Sequence, residues 1–341
     1  MLKLSVLDQS PISEKKTAAD ALMDTIVFAQ KIESLGFTRF WVSEHHNAFN
    51  LAGSSPEVLL AFLAAKTSKI RLGSGGVMLP NYSSYKVAEN FRVLEVLAPG
   101  RIDLGIGKSP GGNPLAAKAL KNGEDWKADN YLQQINDLLY YMEDNLPNDH
   151  PYYGLKATPI VTSKPDTWLL STGGSSVQIA AKKGLSFNYA HFIHPIGGPS
   201  IIQSYKDNFV PSIFHKEPHA IVTTYFVCSN SEEEAEELAL IFDLHLLLIQ
   251  KGIQPHGIPS IETARNYTYS PSDKIIIEQN RSKILIGTPE TVKNQLLKLQ
   301  IEHGVDEVML VSLLSDIDIK IKSFELIADA IQLNPQYTMY K

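Results

Sequence analysis

Residues 43–46, Ser-Glu-His-His, place a hydroxyl, a carboxylate and two imidazoles directly after the apolar run Phe40-Trp41-Val42. An imidazole titrates near neutral pH and can hold or pass a proton, and a neighbouring carboxylate can orient it. Strand alternation would put Glu44 and His46 on one side and His45 on the other, so the two histidines need not act together. Three readings stay open for this stretch. One histidine handles protons, both are hydrogen-bonded structural groups, or they join His191 and an acid around a metal. No HxH or HExxH spacing accompanies them. His215, His219, His256 and His303 read as solvated loop or turn residues.

A second group of residues suits an anion. Thr172-Gly173-Gly174-Ser175-Ser176 separates the apolar run 167–170 from the Ala-rich stretch 177–183. At such a strand-to-helix junction, backbone N–H groups and hydroxyls can face a phosphate. Lys108 could supply the positive charge. A plain turn would use the same small residues. Known nucleotide fingerprints fail: a P-loop ending in Gly107-Lys108-Ser109 would need glycine where Ile102 stands, and Gly105-Ile106-Gly107 runs on to Pro110. Gly75-Gly76 interrupts an otherwise strand-like segment, which points to a bulge or a close approach by another group.

These residues need a scaffold that brings distant segments to one place. Short apolar runs at residues 4–7, 37–42, 70–79, 102–107, 167–170, 187–192, 220–227 and 306–311 alternate with helical patterns. Thr17 and Asp20 form a capping-box start, Gly36 and Gly184 are stops, and Ser55-Pro56, Ser231 and Thr288-Pro289 open further helices. Residues 113–166 are less regular, with one clear helix at about 131–142. Residues 252–283 are polar and irregular, a length that suits a lid or a disordered insertion. The pattern predicts an α/β (β/α)8 TIM barrel, a single domain over residues 1–341, with an inserted lid segment at about 252–283 before strand eight. A doubly wound open sheet is the alternative. In a barrel the strand ends share one mouth, which gathers Ser10, Glu44, His45, Gly75, Gly76, Gly107, Lys108, Thr172, Gly173, Gly174, Ser175 and His191.

Composition sets limits on partners. The formal net charge of −6 over 341 residues is interspersed, with no basic face for nucleic acid. The lone Cys228 permits no intrachain disulfide and fits a reducing compartment. No apolar run approaches a membrane span and no signal peptide is evident, so a cytoplasmic protein is expected.

Three motifs, residues 41–46 (Trp-Val-Ser-Glu-His-His), 73–80 (Gly-Ser-Gly-Gly-Val-Met-Leu-Pro) and 99–107 (Pro-Gly-Arg-Ile-Asp-Leu-Gly-Ile-Gly), resemble the bacterial luciferase-like flavin monooxygenases, nearest to their single-chain, non-luminous members. The resemblance extends to residues 286–290, Ile-Gly-Thr-Pro-Glu, and so covers nearly the whole chain. It implies a TIM barrel that takes reduced FMN as co-substrate from a separate flavin reductase and uses O2 to oxidise a small organic molecule. It implies a non-prolyl cis peptide at Gly75-Gly76 beneath the flavin. Lys108 stands where luciferase has a phosphate-binding arginine, and Gly107 where it has a reactive cysteine. His45 matches the catalytic histidine, Glu44 the acid beside it, and 252–283 the mobile lid. A homodimer through the apolar faces of the helices after strands two and three is expected too. Phe49, Tyr82, Tyr85, Phe192 and Ile193 are candidates for an apolar substrate pocket. A flavin binder without oxygenase activity, a deazaflavin-dependent oxidoreductase and a metal-dependent hydrolase barrel remain as alternatives.

Overall fold

The computed structural model describes residues 2–124 and 130–333. The ends of the expected 1–341 domain, Met1 and 334–341, lie outside the described residues, as do 125–129. In chain order the elements are β1 (Lys3–Asp8), α1 (Ala18–Leu35), β2 (Arg39–Val42), α2 (Pro56–Lys66), β3 (Arg71–Ser74), β4 (Val77–Met78), α3 (Ser84–Leu97), β5 (Ile102–Gly107), α4 (Pro114–Leu120), α5 (Tyr131–Glu143), β6 (Asp166–Ser171) and α6 (Ser175–Lys183). They continue with β7 (Ser186–Ala190), α7 (Gly198–Asp207), β8 (Ala220–Cys228), α8 (Glu232–Gln250), α9 (Ile261–Asn266), α10 (Pro271–Arg281), β9 (Ile284–Gly287), α11 (Pro289–His303), β10 (Glu307–Val311) and α12 (Ile317–Ile331).

All strand pairs are parallel, and the ring closes: β1 pairs with β2 and with β10, and β10 pairs with β8. Around that ring β3 and β4 act as two halves of one strand, which gives a closed eight-stranded barrel wrapped by helices, the TIM-barrel architecture. β9, a short strand with no counterpart in the sequence reading, lies outside the ring. It pairs with the far half of β8, from Tyr225↔Ile284 to Cys228↔Gly287. The polar stretch 252–283 is not irregular throughout. It contains α9 and α10, each started by a serine whose side chain accepts from the third residue's N–H.

Local signals explain the helix ends. Thr17 and Asp20 make a reciprocal capping box, and Gly36 closes α1 in the left-handed conformation. Ser231 and Thr288 cap through their side chains as expected. Ser55 does not: it makes no side-chain cap bond, and Pro56 alone marks the start of α2.

Inside the barrel, side chains from alternate strand positions stack in layers. The floor, at the N-terminal strand ends, is charged. The guanidinium of Arg39 donates to Glu307 Oε1 (2.7 Å) and to Asp103 Oδ2 (2.8 Å), Arg71 donates to Asp103 Oδ1, and Ser5 donates to Glu307. Above it Trp41 and Trp168 meet edge to face at 5.3 Å, and Trp41 Nε1 donates to Asp103 (2.8 Å). Gly73 makes room for that ring, since a Cβ there would lie 2.5 Å from Trp41 Nε1. The larger apolar core lies outside the barrel wall, between strands and helices.

Candidate active site

Above the tryptophan layer the barrel opens into a cavity of about 520 Å³ at the C-terminal strand ends. The sequence-predicted residues Gly75, Gly76, Gly107, Lys108, Thr172, Gly173, Gly174 and Ser175 all line it. The Gly75–Gly76 peptide bond is cis. The close approach expected of that doublet is real. A Cβ on Gly76 would fall 2.8 Å from Gly105 O, and one on Gly75 would fall 2.6 Å from Leu7 Cδ1. Apolar walls come from Leu7, Met78, Leu170, Ala190, Phe192 and Ile193. Polar groups missed in the sequence sit at its base: Thr223 Oγ1 donates to Asn188 Oδ1 at 2.8 Å. Period-two alternation along β7 was the available signal, because it turns 188, 190 and 192 to one side.

The junction after β6 has the features an anion requires. Gly173 and Gly174 hold positive φ, Ser171 Oγ accepts from the Gly173 N–H (3.0 Å) and donates to its carbonyl (2.7 Å), and α6 begins at Ser175. The first N–H groups of that helix have no helical acceptor, and the dipole favours negative charge there. Nothing lies within 4 Å of a Cβ built on Gly174. Lys108 lies on the same wall, with its Nζ 5.9 Å from the Tyr131 ring centre. The cavity, the helix start and the lysine together fit a phosphate-bearing planar cofactor.

The 43–46 stretch lies beyond the end of β2, yet alternation continues. His45 Nδ1 is 3.0 Å from Ser43 Oγ, while His46 Nε2 is 2.7 Å from Glu44 Oε1. Burial, with a smaller contribution from His46, pushes the His45 pKa down to about 4, so this imidazole is neutral at pH 7. Glu44 is fully buried and accepts from Tyr82 OH (2.8 Å) and from the Met78 N–H (3.1 Å). The Tyr82 phenol is raised well above its ordinary range, first by burial and then by Glu44. Tyr82 thus belongs to a polar cluster rather than to an apolar pocket.

Several expected residues go elsewhere. Ser10 does not line the cavity. Its hydroxyl accepts from Thr25 (2.9 Å), which also donates to Asp8, and Asp8 pairs with buried Lys320 at 3.1 Å. Glu44, His45, Phe49 and Tyr85 are also absent from the cavity lining. His191 follows β7 rather than lying within it. It turns outward, its ring 5.6 Å from that of His303, and burial and His303 lower its pKa to about 4. His303 is a buried helix residue, and His215 pairs with Asp166 at 2.8 Å, so neither is a solvated loop side chain. The imidazoles of His45, His46 and His191 face different partners. Among the described residues no three His, Cys, Asp or Glu side chains form a metal-binding group. A larger crevice, about 640 Å³, lies on the α3 side of β4 beside Glu57, Tyr82 and Lys121, away from the glycine-lined strand ends.

Relatives have this chain's length and order. An uncharacterized protein of Bacillus subtilis, YwcH, is 47% identical over 97% of this chain and 99% of its own. The N-acetyl-S-alkylcysteine monooxygenase of the same organism is 37% identical over 97% of this chain and 98% of its own. The crystal structure of apo-MsnO8 superposes with a TM-score of 0.90 at 33% identity, covering 98% of this chain and 99% of that one. The family model described as luciferase-like monooxygenase matches residues 2–307, and the chain belongs to that family.

Proposed function

We propose that the chain is a two-component flavin monooxygenase. It would take reduced FMN from a separate reductase and use O2 to oxygenate a small organic substrate in the cytoplasm. The observation that carries this reading is the single cavity that unites a glycine-lined wall, an apolar wall, a helix start and Lys108. The helix start and Lys108 would hold the phosphate, and Gly75, Gly76 and Gly107 would give the ring close contact with backbone. Bound FMN supplies the two-electron chemistry. In balance, one oxygen atom of O2 enters the substrate and the other leaves as water, with two electrons and two protons from the reduced flavin.

The chain's own residues would orient the substrate and exclude water. His45, neutral at pH 7 but not itself on the cavity lining, would meet a substrate that projects from the cavity and accept or donate a hydrogen bond there. We read 252–283 as the cover of the mouth. Gln254 Nε2 donates to Asn47 O (2.5 Å), and Ile258 exchanges backbone bonds with Ile12 and Glu14. Val58, Phe62, Val96 and Leu97 on α2 and α3 are exposed, an apolar face suited to a second copy of the chain. Light scattering would read the dimer.

The test is anaerobic titration with reduced FMN followed by mixing with aerated buffer and candidate substrates, with thioethers such as N-acetyl-S-alkylcysteines first because of the relative named above. Saturable binding and substrate-dependent incorporation of labelled oxygen are expected. Binding without incorporation from any substrate favours a flavin-binding protein. Binding of a deazaflavin in preference to FMN would replace the cofactor.

A further inference from the structure

The carboxylate of Glu44 is turned away from His45 and towards the walls of the cavity. Its Oε2 accepts from the Met78 N–H at 3.1 Å, and its Oε1 accepts from Tyr82 OH at 2.8 Å and lies 2.7 Å from His46 Nε2. Met78 is on the cavity wall, two residues beyond the Gly75–Gly76 bond. His46 in turn holds the other wall. Its N–H donates to Gly111 O at 2.8 Å, and its backbone bridges to Gly112. Gly111 packs so tightly that a Cβ there would be 2.8 Å from Met78 Cγ and 3.4 Å from His46 Cδ2. Asn81 Nδ2 secures the same loop by donating to Pro110 O at 2.9 Å. The loop so held is the one that carries Lys108 and Ser109.

We infer that Glu44 is a positioning residue rather than a proton donor to the reacting atoms. Its carboxylate clamps β4 and the Lys108–Gly112 loop in register, so that the two walls face each other across the flavin site. The inference rests on reading that cavity as the flavin site. The bonding pattern gives Glu44 this role. With Met78 and Tyr82 already donating, the tautomer of His46 that completes the set carries its proton on Nε2, an assignment made from the network. A fully buried carboxylate meeting two donors from the 78–82 stretch and one from His46, whose own backbone holds Gly111 and Gly112, fixes the relative position of those segments. Removing its charge leaves buried donors unsatisfied. Hydrogen-bonded to Ser43 and to the Gly53 carbonyl, and to no member of the cluster among the described residues, His45 takes no part in the clamp.

Two variants and two readouts test this. Glu44→Gln keeps the shape but puts an amide N–H₂ against one of the three donors. Tyr82→Phe removes one donor only. Hydrogen exchange on the flavin-free protein should speed up by about tenfold in peptides covering Met78 and Gly111 for Glu44→Gln, and by less for Tyr82→Phe. FMN affinity should weaken by about tenfold in Glu44→Gln, while kcat at saturating reduced FMN stays within about threefold of the parent. Unchanged exchange at Met78 and Gly111 overturns the inference. So does a large loss of kcat with unchanged FMN affinity, since that is the mark of a group acting on the reaction itself. If the parent protein binds no flavin, the functional reading fails, yet the exchange measurement still decides whether Glu44 sets the walls.

Discussion

The two ends of the barrel solve opposite problems. At the floor, charged side chains fill the interior and pair with one another: Arg39 with Asp103 and Glu307, and Arg71 with Asp103. At the mouth, glycines replace side chains, and the space they leave becomes a cavity. The same strands run through both regions, so the difference lies in residue choice within one architecture. A paired floor fixes the closure of the ring, and a depleted mouth leaves room and backbone donors for a ligand. In a TIM barrel, chemistry belongs at the C-terminal ends and the opposite face serves stability.

The largest effect should come from the floor. In Asp103→Ala, buried Arg39 loses a partner at 2.8 Å, partly exposed Arg71 loses its ion pair and buried Trp41 Nε1 loses its acceptor. Breaking a buried pair from one side costs about 3–5 kcal/mol. Urea unfolding should show that loss, while turnover per folded molecule stays near the parent value. A stable variant with low turnover would mean that the floor reaches the chemistry, and the division between the two ends would fail.

His45→Ala is the reverse experiment. Turnover should fall about 10²-fold while unfolding and FMN binding stay close to the parent. Unchanged turnover removes His45 from the mechanism. The residue pattern anticipated this stretch well, because period-two alternation persists beyond the strand and sends Glu44 with His46. What it could not supply was direction. The resemblance made Glu44 the acid beside His45, whereas the fold turns its carboxylate to Met78, Tyr82 and His46, contacts that span 34 to 38 positions for two of the three. Ser10 was misplaced for the same reason: its strand-end position was visible, but Thr25 and Lys320, which tie up that corner, come from α1 and α12. The barrel itself was legible because each strand is a short apolar run with a clear helix signal after it. β9 was not, being four residues long and joined directly to the proline start of α11.

pH separates the regions in another way. Burial pushes the Glu307 carboxyl up, but the hydrogen bond from His219, then the charge and hydrogen bond of Arg39 and the Ser5 hydroxyl, outweigh it and hold Glu307 down at about 2, so its stabilisation is fully present above about pH 4.5 and fades as pH falls towards 2. Buried His191 and His245 are held at about 4 by burial. Their unfolded forms take up protons from about pH 6.5 downwards and the native forms only from about 4, so stability falls as pH drops through that interval. Unfolding free energy should therefore decline in two stages, the histidine stage costing on the order of 1 kcal/mol or more per imidazole. His245→Phe should shrink the upper stage by one imidazole's share and leave the lower one intact, because His191 and His45 still titrate in that interval. An upper stage of unchanged size in that variant would remove His245 from it.

The smallest effect sharpens the account of the mouth. Lys108 offers one point charge beside a helix start, whereas arginine would offer a planar fork that matches phosphate with two parallel bonds. If the phosphate is held mainly by the α6 N-terminus and the Gly173–Ser176 backbone, Lys108→Ala should weaken FMN by only about tenfold. Lys108→Arg should then tighten it by less than that factor, and the affinity of riboflavin, which has no phosphate, should be the same in all three proteins. A uniform change for FMN and riboflavin would mean that Lys108 shapes the wall rather than meeting the anion. Because the Lys108 loop hangs from His46 and Asn81, such a result would shift the mouth's specificity from its charge to the clamp that holds its walls.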